Sequence, residues 1–358
     1  MDSINNHTLH AFGFNAYGQI SQQPLTKVQD THRTVTRVLM AAWESTFVLT
    51  KQGVIELWGY SNAQHEELVA HWNNKELMGN KKIRCIFGDL QLGLGTIDDA
   101  GNVLWWGLGR KSVLLGNNIK DAGFCAGLNG LFLLSVDGKV TQYERDQWDH
   151  PKVLDIPTVE SMAVSTTHVL FGVNGSAPVF GLGSNRMGQL GMDTSTTQHV
   201  DQPTRVDFFD GLGMMGAGSS GVKVACGSFH SAVVLHNDLY TFGWNDRGMI
   251  GWGTLTGQEE HDDSASLLDS SGIRLASFAG DGGQEADVSV DQVACGTAHT
   301  VAIDVSGSAW TCGSDKYSQL GRSLTTTDDY DDCFRRCSTI NGKVTDSQAG
   351  PWCTFLQT

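Results

Sequence analysis

The stretch KVACGSFHSAVVLHNDLYTFGWNDRGMIGWG, from Lys223 to Gly253, decides the fold of this chain of 358 residues. It holds a small-residue turn before His230, then an apolar run, then an aromatic–glycine pair that ends at Gly243. Cysteine, histidine and aspartate close together are typical of an active site. They are also what one copy of a repeat would show, and internal repeats must be sought first.

Two further stretches, Met162–Gly191 and Gln292–Gly321, have the same layout, with His168 and His299 at the place of His230. One chain rarely needs several copies of one active site, so the recurring histidines indicate architecture. We interpret them as partly buried side chains whose ring nitrogens bond the backbone of the neighbouring repeat. Matching positions in separate repeats lie too far apart to form one catalytic or metal site.

Glycines that follow an apolar strand end mark the units: Gly13, Gly59, Gly107, Gly183, Gly243 and Gly313. The longest interval separates Gly107 from Gly183 and leaves room for a degenerate copy of the repeat at Phe124–Asp146. This makes seven units. The seventh is split, with its front half at Val344–Thr358 and its back half at Leu9–Ile20.

Each unit reads as short strands separated by turn signals such as Asp137-Gly138. About seven such units predict an all-β fold, a seven-bladed β-propeller whose last blade is closed by both chain termini. The strand around His10–Gly13 is predicted to lie beside the strand around Trp352–Gln357, which removes exposed sheet edges. We expect a single domain over residues 1–358, with an acidic loop insertion at about residues 254–291.

The signature of the repeat is a small–Gly–x–x–His turn followed by an aromatic–Gly–x–Asn–x–x–Gly–Gln–Leu–Gly end. It is carried by Phe12-Gly13-Phe14-Asn15 with Gly18-Gln19, Gly183-Ser184-Asn185 with Gly188-Gln189-Leu190-Gly191, Gly243-Trp244-Asn245 with Gly248, and Gly313-Ser314-Asp315 with Gln319-Leu320-Gly321. This signature resembles the regulator of chromosome condensation repeat family, specifically from Met162 to Gly321 and weakly from Thr31 to Asp146. Within the family the chain is most similar to the short stand-alone members. One of these partners a nuclear histone lysine demethylase, another acts in tRNA wobble-uridine modification, and the motifs favour neither.

The formal net charge of -15 argues against direct nucleic-acid binding, because an acidic surface repels the phosphate backbone. The apolar runs are too short to span a bilayer, so we expect no membrane association. The N-terminus lacks the basic and apolar regions of a signal peptide, which favours a cytoplasmic or nuclear location. We expect the chain to be monomeric by itself, with basic proteins or a small GTPase as partner classes.

Eight cysteines are present, and five of them lie in apolar strand patterns where a reduced, buried thiol is expected: Cys85, Cys125, Cys226, Cys295 and Cys312. Cys333 and Cys337 are spaced C-x3-C and could join Cys353 or an aspartate around zinc. No second pair of standard spacing accompanies them, so the spacing favours a surface loop with two free thiols. The sequence predicts no catalytic residue, no metal site and no cofactor.

Two classes of function fit this pattern. The first is a non-enzymatic interaction scaffold, acting as the regulatory subunit of a partner enzyme of chromatin demethylase or tRNA-modification type. Its candidate partner-binding residues are four tryptophans and four acidic residues of the insertion: Trp43, Trp72, Trp148, Trp352, Glu259, Glu260, Asp262 and Asp263. A short amphipathic helix within residues 62–79 is predicted to turn Leu68, Trp72 and Met78 toward the ring.

The second class is a guanine-nucleotide exchange factor for a small GTPase, the activity that the founding family member implies. An exchange factor needs a protruding wedge that displaces the nucleotide-binding elements of the GTPase. In the founder this wedge lies in an early blade, whereas the long insertion here lies in the sixth unit. The founder's basic DNA-binding tail is also absent. The scaffold is therefore the preferred hypothesis, and ultraviolet sensing, known from a plant member of this fold, ranks last because its tryptophan pattern does not recur.

Overall fold

The computed structural model describes residues 8–20, 25–28, 35–79, 81–107, 112–214, 221–253, 271–280, 282–324 and 328–358. The four acidic residues Glu259, Glu260, Asp262 and Asp263 lie outside these residues. Within them, no helix has the length and apolarity needed to cross a bilayer.

The strands occur in the following order along the chain. The first half of the chain contains β1 (Leu9–Asn15), β2 (Leu25–Val28), β3 (Val35–Ala41), β4 (Ser45–Thr50), β5 (Ile55–Gly59), β6 (Ile83–Asp89), β7 (Gly93–Asp98), β8 (Val103–Trp106), β9 (Val113–Gly116), β10 (Ile119–Cys125), β11 (Gly130–Ser135), β12 (Val140–Glu144), β13 (Gln147–Val153), β14 (Val159–Val164) and β15 (His168–Val173). The second half contains β16 (Val179–Ser184), β17 (His199–Arg205), β18 (Lys223–Cys226), β19 (His230–Leu235), β20 (Asp238–Gly243), β21 (Arg274–Leu275), β22 (Phe278–Ala279), β23 (Val290–Cys295), β24 (His299–Asp304), β25 (Ala309–Ser314), β26 (Tyr330–Arg336), β27 (Asp346–Ala349) and β28 (Cys353–Gln357). Helices α1 (Ala63–Asn73) and α2 (Lys75–Met78) follow β5, and three short 3-10 turns lie at Ala126–Leu128, Asp207–Phe209 and Leu212–Met214.

The strands form seven antiparallel sheets, the blades of a propeller. Blades one to six are β3–β5, β6–β9, β10–β13, β14–β17, β18–β21 and β23–β26, with β22 added in parallel beside β26. Their innermost strands contact one another in sequence around the ring, and β27 of the seventh blade contacts both β23 and β3. The predicted seven-bladed propeller is confirmed, and the degenerate copy of the repeat at Phe124–Asp146 lies within the third blade.

The seventh blade is built from both chain ends in the order β2-β1-β28-β27. Strand β1 pairs antiparallel with β28 in continuous register from Leu9 opposite Gln357 to Gly13 opposite Cys353. The predicted closure by the termini is confirmed. Phe355 and Leu356 of β28 are 1% and 0% exposed, so the closing strand also contributes to the core between blades.

Burial within a blade follows from how the blades stack. The second strands are covered on both faces by neighbouring blades, so every residue of β15 and β19 is buried. The outermost strands face solvent, and six of the seven residues of β13 are exposed. This gradient explains why the apolar runs of the sequence coincide with the second strands.

The first blade has three strands, and helix α1 takes the place of the fourth. The Asn73 side chain closes the edge of β5, since its Oδ1 accepts from the Ile55 N–H at 2.8 Å and its Nδ2 donates to the Ile55 carbonyl at 2.8 Å. Trp72 and Met78 are buried against the ring with Leu68 beside them. The predicted helix and its apolar face are therefore present.

The predicted insertion at residues 254–291 is only partly a loop. Residues 254–270 lie outside the described residues. The remainder contributes β21 and β22 to two sheets, with Ile273 and Phe278 each 5% exposed. The prediction of a loop does not hold for this second half, because its few apolar residues cover the outer edges of blades five and six.

Candidate functional site

The repeat signatures all lie at one end of the propeller. In every blade the innermost strand ends there in a turn to the second strand, and the third strand returns there. We call this end the motif face, defined by the turns at residues 42–44, 90–92, 126–129, 165–167, 227–229, 296–298 and 350–352. The loops that follow β1, β5, β16, β20 and β25 lie at the same end.

The Asn–x–x–Gly–Gln–Leu loops are held by their asparagine. Asn15 Oδ1 accepts from the Ile20 N–H at 2.8 Å, and Asn185 Oδ1 accepts from the Leu190 N–H at 2.9 Å. Asp315 does the same for Leu320 at 2.9 Å. Each bond fixes the loop so that the apolar residue is buried and the carbonyl before it faces the next blade.

The carbonyls of Gln189, Met249 and Gln319 in these loops accept from hydroxyls of the neighbouring blade, and each of these hydroxyls accepts from a histidine. His230 Nε2 lies 2.9 Å from Thr300 Oγ1, which donates to the Met249 carbonyl at 2.6 Å. Two further pairs repeat this arrangement, His168 with Ser231 at 2.8 Å and His299 with Thr354 at 3.0 Å. Because each hydroxyl uses its one hydrogen on a carbonyl, the histidine Nε2–H must be the donor.

We call each chain of histidine, hydroxyl and carbonyl a relay. The three relays correct one part of the sequence prediction. All three histidines bond a side-chain hydroxyl of the neighbouring blade, and only His299 also has a backbone hydrogen bond there among the described residues, with Cys353. They are also fully rather than partly buried. Burial lowers the pKa of His168 and His230 to about 3 and that of His299 to about 4, so the rings are neutral. Their role is to lock adjacent blades together.

His230 and His299 each have a glycine three residues earlier, which leaves space for the imidazole ring. A Cβ added at Gly227 would lie 2.3 Å from His230 Cε1, and one at Gly296 would lie 2.1 Å from His299 Cε1. The marker glycines at the ends of the third strands have a different reason. Gly243 and Gly313 both have φ +104°, and a Cβ at either would meet the backbone of the second strand.

The thiols of the chain are unsuited to nucleophilic chemistry. Burial raises the pKa of Cys295 and Cys353 to about 12, and the thiolate is the reactive form. Cys333 and Cys337 are not in a surface loop, which corrects the prediction. Cys333 lies within β26 and Cys337 just after it, 1% and 3% exposed.

Cys333, Cys337 and Cys353 belong to three different apolar clusters, which separates the thiols proposed as zinc ligands. Among the described residues, no group of three or more His, Cys, Asp or Glu side chains could hold a metal ion.

The motif face carries an aromatic patch that we define as Phe14, Tyr17, Trp43, Tyr317 and Trp352. Tyr317 lies 4.8 Å from Phe14 and 5.7 Å from Trp352, measured between ring centroids. Trp43 meets Trp352 edge-on at 5.7 Å, yet half of its surface, 50%, remains exposed. Tyr17 is 44% exposed. Edge-to-face packing therefore holds the patch in place while leaving two of its rings open to solvent.

The exposed aromatic side chains of the described residues all lie on the motif face: Tyr17, Trp43, Tyr60 and Trp244. At the opposite end, the exposed large hydrophobics of the strand turns are single valines such as Val136 and Val305. That opposite end is instead tied together by polar bonds between blades. Lys120 Nζ donates to the Glu160 carbonyl at 2.6 Å, and Lys223 Nζ lies 2.7 Å from Asp291 Oδ1.

An axial cavity of about 650 Å³ opens at the motif face. All seven innermost strands contribute their last residues to it, from Ala41 of β3 to Ala349 of β27. On the side of the first two blades its wall is formed by Trp43, Glu44, Tyr60, Asn62, His65 and Asp89. Cavities of this size fall within the range of about 300–1,000 Å³ that is usual for ligand sites.

The tryptophans proposed from the sequence divide into two groups. Trp43 and Trp352 meet in the aromatic patch. Trp72 lies on the buried face of α1 and is 5% exposed, so it belongs to the core. Trp148 lies on the outer strand β13 and packs 5.9 Å from Trp105, outside the aromatic patch.

Sequence reasoning missed Tyr17, Tyr60, Tyr317 and Trp244. A signal for two of them was present, because Tyr17 and Tyr317 occupy the same position of the signature loop, two residues after Asn15 and Asp315. Met187 stands at this position in the fourth blade and is 47% exposed. This position of the loop thus presents Tyr17 and Met187 to solvent, whereas Tyr317 is partly buried within the aromatic patch.

Comparison with known families identifies the repeat. The sequence profile of the regulator of chromosome condensation (RCC1) repeat matches residues 178–234, and a second profile of the same repeat matches residues 290–319. These segments contain β16 to β18 with most of β19, and β23 to β25 with the start of the loop after them. The resemblance inferred from the signature is confirmed.

Among related proteins, the chain is 27% identical to mouse RCC1 domain-containing protein 1 over 217 residues, which is 55% of each chain. It thus spans about half the length of this relative. The yeast protein Prp20p, whose structure was determined with its binding properties to Gsp1p and histones, superposes on 99% of this chain and 92% of its own at a TM-score of 0.71 and 15% identity. Human WBSCR16 superposes on 98% of both chains, with a TM-score of 0.68 and 14% identity. The two structures support the propeller fold.

Proposed function

Because this chain is a propeller that carries regulator of chromosome condensation repeats, we propose that it is a non-enzymatic interaction scaffold that binds a protein partner through its motif face. We further propose that it serves as the regulatory subunit of a partner enzyme, of chromatin demethylase or tRNA-modification type, in the cytoplasm or nucleus. The acidic residues of the insertion would assist encounter with a basic partner.

One observation carries this proposal, namely the concentration of exposed aromatic side chains on a single face. Aromatic residues are enriched at the centres of protein interfaces because they bury much area at little cost in conformational entropy. The three relay histidines bond the neighbouring blades, and burial raises the pKa of the Cys295 and Cys353 thiols to about 12.

The proposal is tested by changing exposed aromatics that do not line the axial cavity. In the variant Tyr17→Ser with Trp244→Ser, both side chains are more than 40% exposed, so we expect the melting temperature to change little. A matched control changes Val136→Ser and Val305→Ser, which are 63% and 57% exposed at the opposite end. Proteins captured from a eukaryotic extract by wild type and control alike should be lost from the aromatic variant. Identical captured sets for all three would contradict the proposal.

A guanine-nucleotide exchange factor is the second candidate, favoured by the similarity to Prp20p and its binding to Gsp1p. The measurement that separates the two is release of a fluorescent guanine nucleotide from a panel of small GTPases. The scaffold hypothesis expects no acceleration. Acceleration that is lost in the aromatic variant and kept in the valine control would support exchange.

A further inference from the structure

The axial cavity is lined on one side by groups that accept hydrogen bonds or carry negative charge. Glu44 and Asp89 each contribute a partly buried carboxylate. No lysine or arginine is among the described residues that line the cavity. The ion pairs found among the described residues also do not include Glu44 or Asp89. Two carboxylates without a neighbouring cation make the wall favourable to positive charge.

His65 in the same wall has an unused acceptor. It is 2% exposed, and its Nε2 lies 3.0 Å from the Leu90 carbonyl. A carbonyl only accepts, so Nε2 carries a hydrogen, and in the neutral ring Nδ1 is then the acceptor nitrogen. That Nδ1 has no hydrogen-bond partner within the described residues. A buried acceptor without a donor is costly, and a ligand with N–H groups would remove the cost.

Two aromatic rings complete the wall. Trp43 and Tyr60 line the cavity and remain 50% and 48% exposed. The Glu44 carbonyl accepts from the Tyr60 N–H at 2.9 Å, which ties the ring-bearing segment to the turn that carries the carboxylate. A guanidinium or ammonium group over the face of Trp or Tyr is attracted by the ring quadrupole.

We propose that the axial cavity binds an arginine or lysine side chain presented by a protein partner. Glu44 and Asp89 supply the negative charge, His65 Nδ1 supplies a neutral acceptor, and Trp43 and Tyr60 supply the aromatic wall. The volume of about 650 Å³ leaves space for the side chain and some of its flanking backbone. An anion is disfavoured by the carboxylates. The inference rests on the proposed function, because it names the chemistry of the partner that the motif face receives.

The test uses short peptides in place of the partner. The full chain is titrated in a calorimeter at low salt with acetyl-Gly-Arg-Gly-amide, with its lysine counterpart, and with the citrulline peptide, which has the shape of arginine without its charge. We expect the arginine or the lysine peptide to bind at least tenfold more tightly than the citrulline peptide. The preferred of the two identifies the side chain. Binding should weaken on addition of salt, because the attraction is between charges.

The variant Glu44→Gln removes one charge while keeping the size of the side chain and its backbone bond to Tyr60. It should raise the Kd of the preferred peptide at least fivefold without changing the melting temperature. The control Asp238→Asn removes an exposed carboxylate at the opposite end and should leave the Kd unchanged. Equal affinity for the charged and citrulline peptides, no heat of binding with any peptide, or an unchanged Kd in Glu44→Gln would overturn the inference. Because Tyr17 and Trp244 do not line the cavity, those outcomes leave the test of the scaffold proposal intact.

Discussion

Replacing Thr300 by valine tests whether the histidine–hydroxyl relays lock the blades. Thr300 is 0% exposed, and its hydroxyl both accepts from His230 and donates to the Met249 carbonyl. Valine keeps the branched shape but removes both hydrogen bonds. The His230 N–H is left buried without a partner, whereas the Met249 carbonyl keeps the weak Cys312 thiol as a donor at 3.5 Å. A buried group without a partner costs about 1–3 kcal/mol, so the free energy of unfolding should fall by about 1–3 kcal/mol for the N–H, with a smaller addition for the carbonyl.

The chain supplies its own matched control at Thr46. Thr46 opposes Trp58 across the sheet as Thr300 opposes Cys312, so the two threonines share one register, and both are 0% exposed. The Thr46 hydroxyl has no hydrogen-bond partner within the described residues, because Cys353 stands where a histidine would reach it from the preceding blade. Thr46→Val should therefore be neutral or stabilising, since it removes a hydroxyl that is already unpaired.

Equilibrium unfolding in urea at neutral pH measures both variants. The midpoint of Thr300→Val should shift downward with the slope unchanged, which indicates a change in stability alone. The reasoning would be refuted by equal losses in the two valine variants. It would also be refuted by a loss below about 0.5 kcal/mol in Thr300→Val, because ordinary neutral substitutions produce changes of that size.

Three further predictions concern pH, closure and the insertion. Burial lowers the pKa of His168, His230 and His299 to about 3, 3 and 4, so their contribution to stability is complete above the unfolded value of about 6.5 and is lost as the pH falls toward 3. Stability should fall by about 3 kcal/mol between pH 6.5 and 5.5, at about 1 kcal/mol per histidine because the unfolded rings are already half protonated at pH 6.5, and urea unfolding of wild type and of the exposed-histidine control His150→Gln should show the same fall. Deleting residues 349–358 removes β28 from between β1 and β27 and should destabilise the ring by several kcal/mol; an unchanged melting temperature would contradict closure by the termini. Replacing Glu259, Glu260, Asp262 and Asp263 by serine should slow association with a basic partner at low salt and abolish the salt dependence of that rate, whereas equal rates at both salts would mean that the insertion takes no part.

The fold could be predicted because its information is local and repeated. Turn glycines, apolar second strands and the split seventh unit are each visible in the sequence, and together they imply a closed ring. The partners of the histidines could not be predicted. Ser231, Thr300 and Thr354 each lie in the blade after the histidine that they bond. Only the register between blades brings them together, and no pattern within one unit reveals it.

The errors about loops have a common physical origin. The stretch DDCFRRC is charged and was interpreted as a surface loop, but it forms β26, an outer strand with solvent on one side. Its Asp331 is paired with Arg322 and Arg335, both at 3.0 Å, so the charges are satisfied while Cys333 and Phe334 are buried. Charge on an outer strand of a blade is compatible with a sheet, and composition alone does not distinguish it from a loop.

The candidate site lies in the blades whose sequences depart most from the repeat signature. The three histidine relays connect blades four, five, six and seven, and the two matched repeat segments fall in that part of the chain. The acceptors of the axial cavity come from blades one and two, where Ser45 and Gly93 replace the relay histidine and a helix replaces one strand. Sequences tend to depart from the rules of their fold at functional sites. We therefore expect partner recognition to be concentrated on the side of Glu44, His65 and Asp89, with the locked blades holding that side in position.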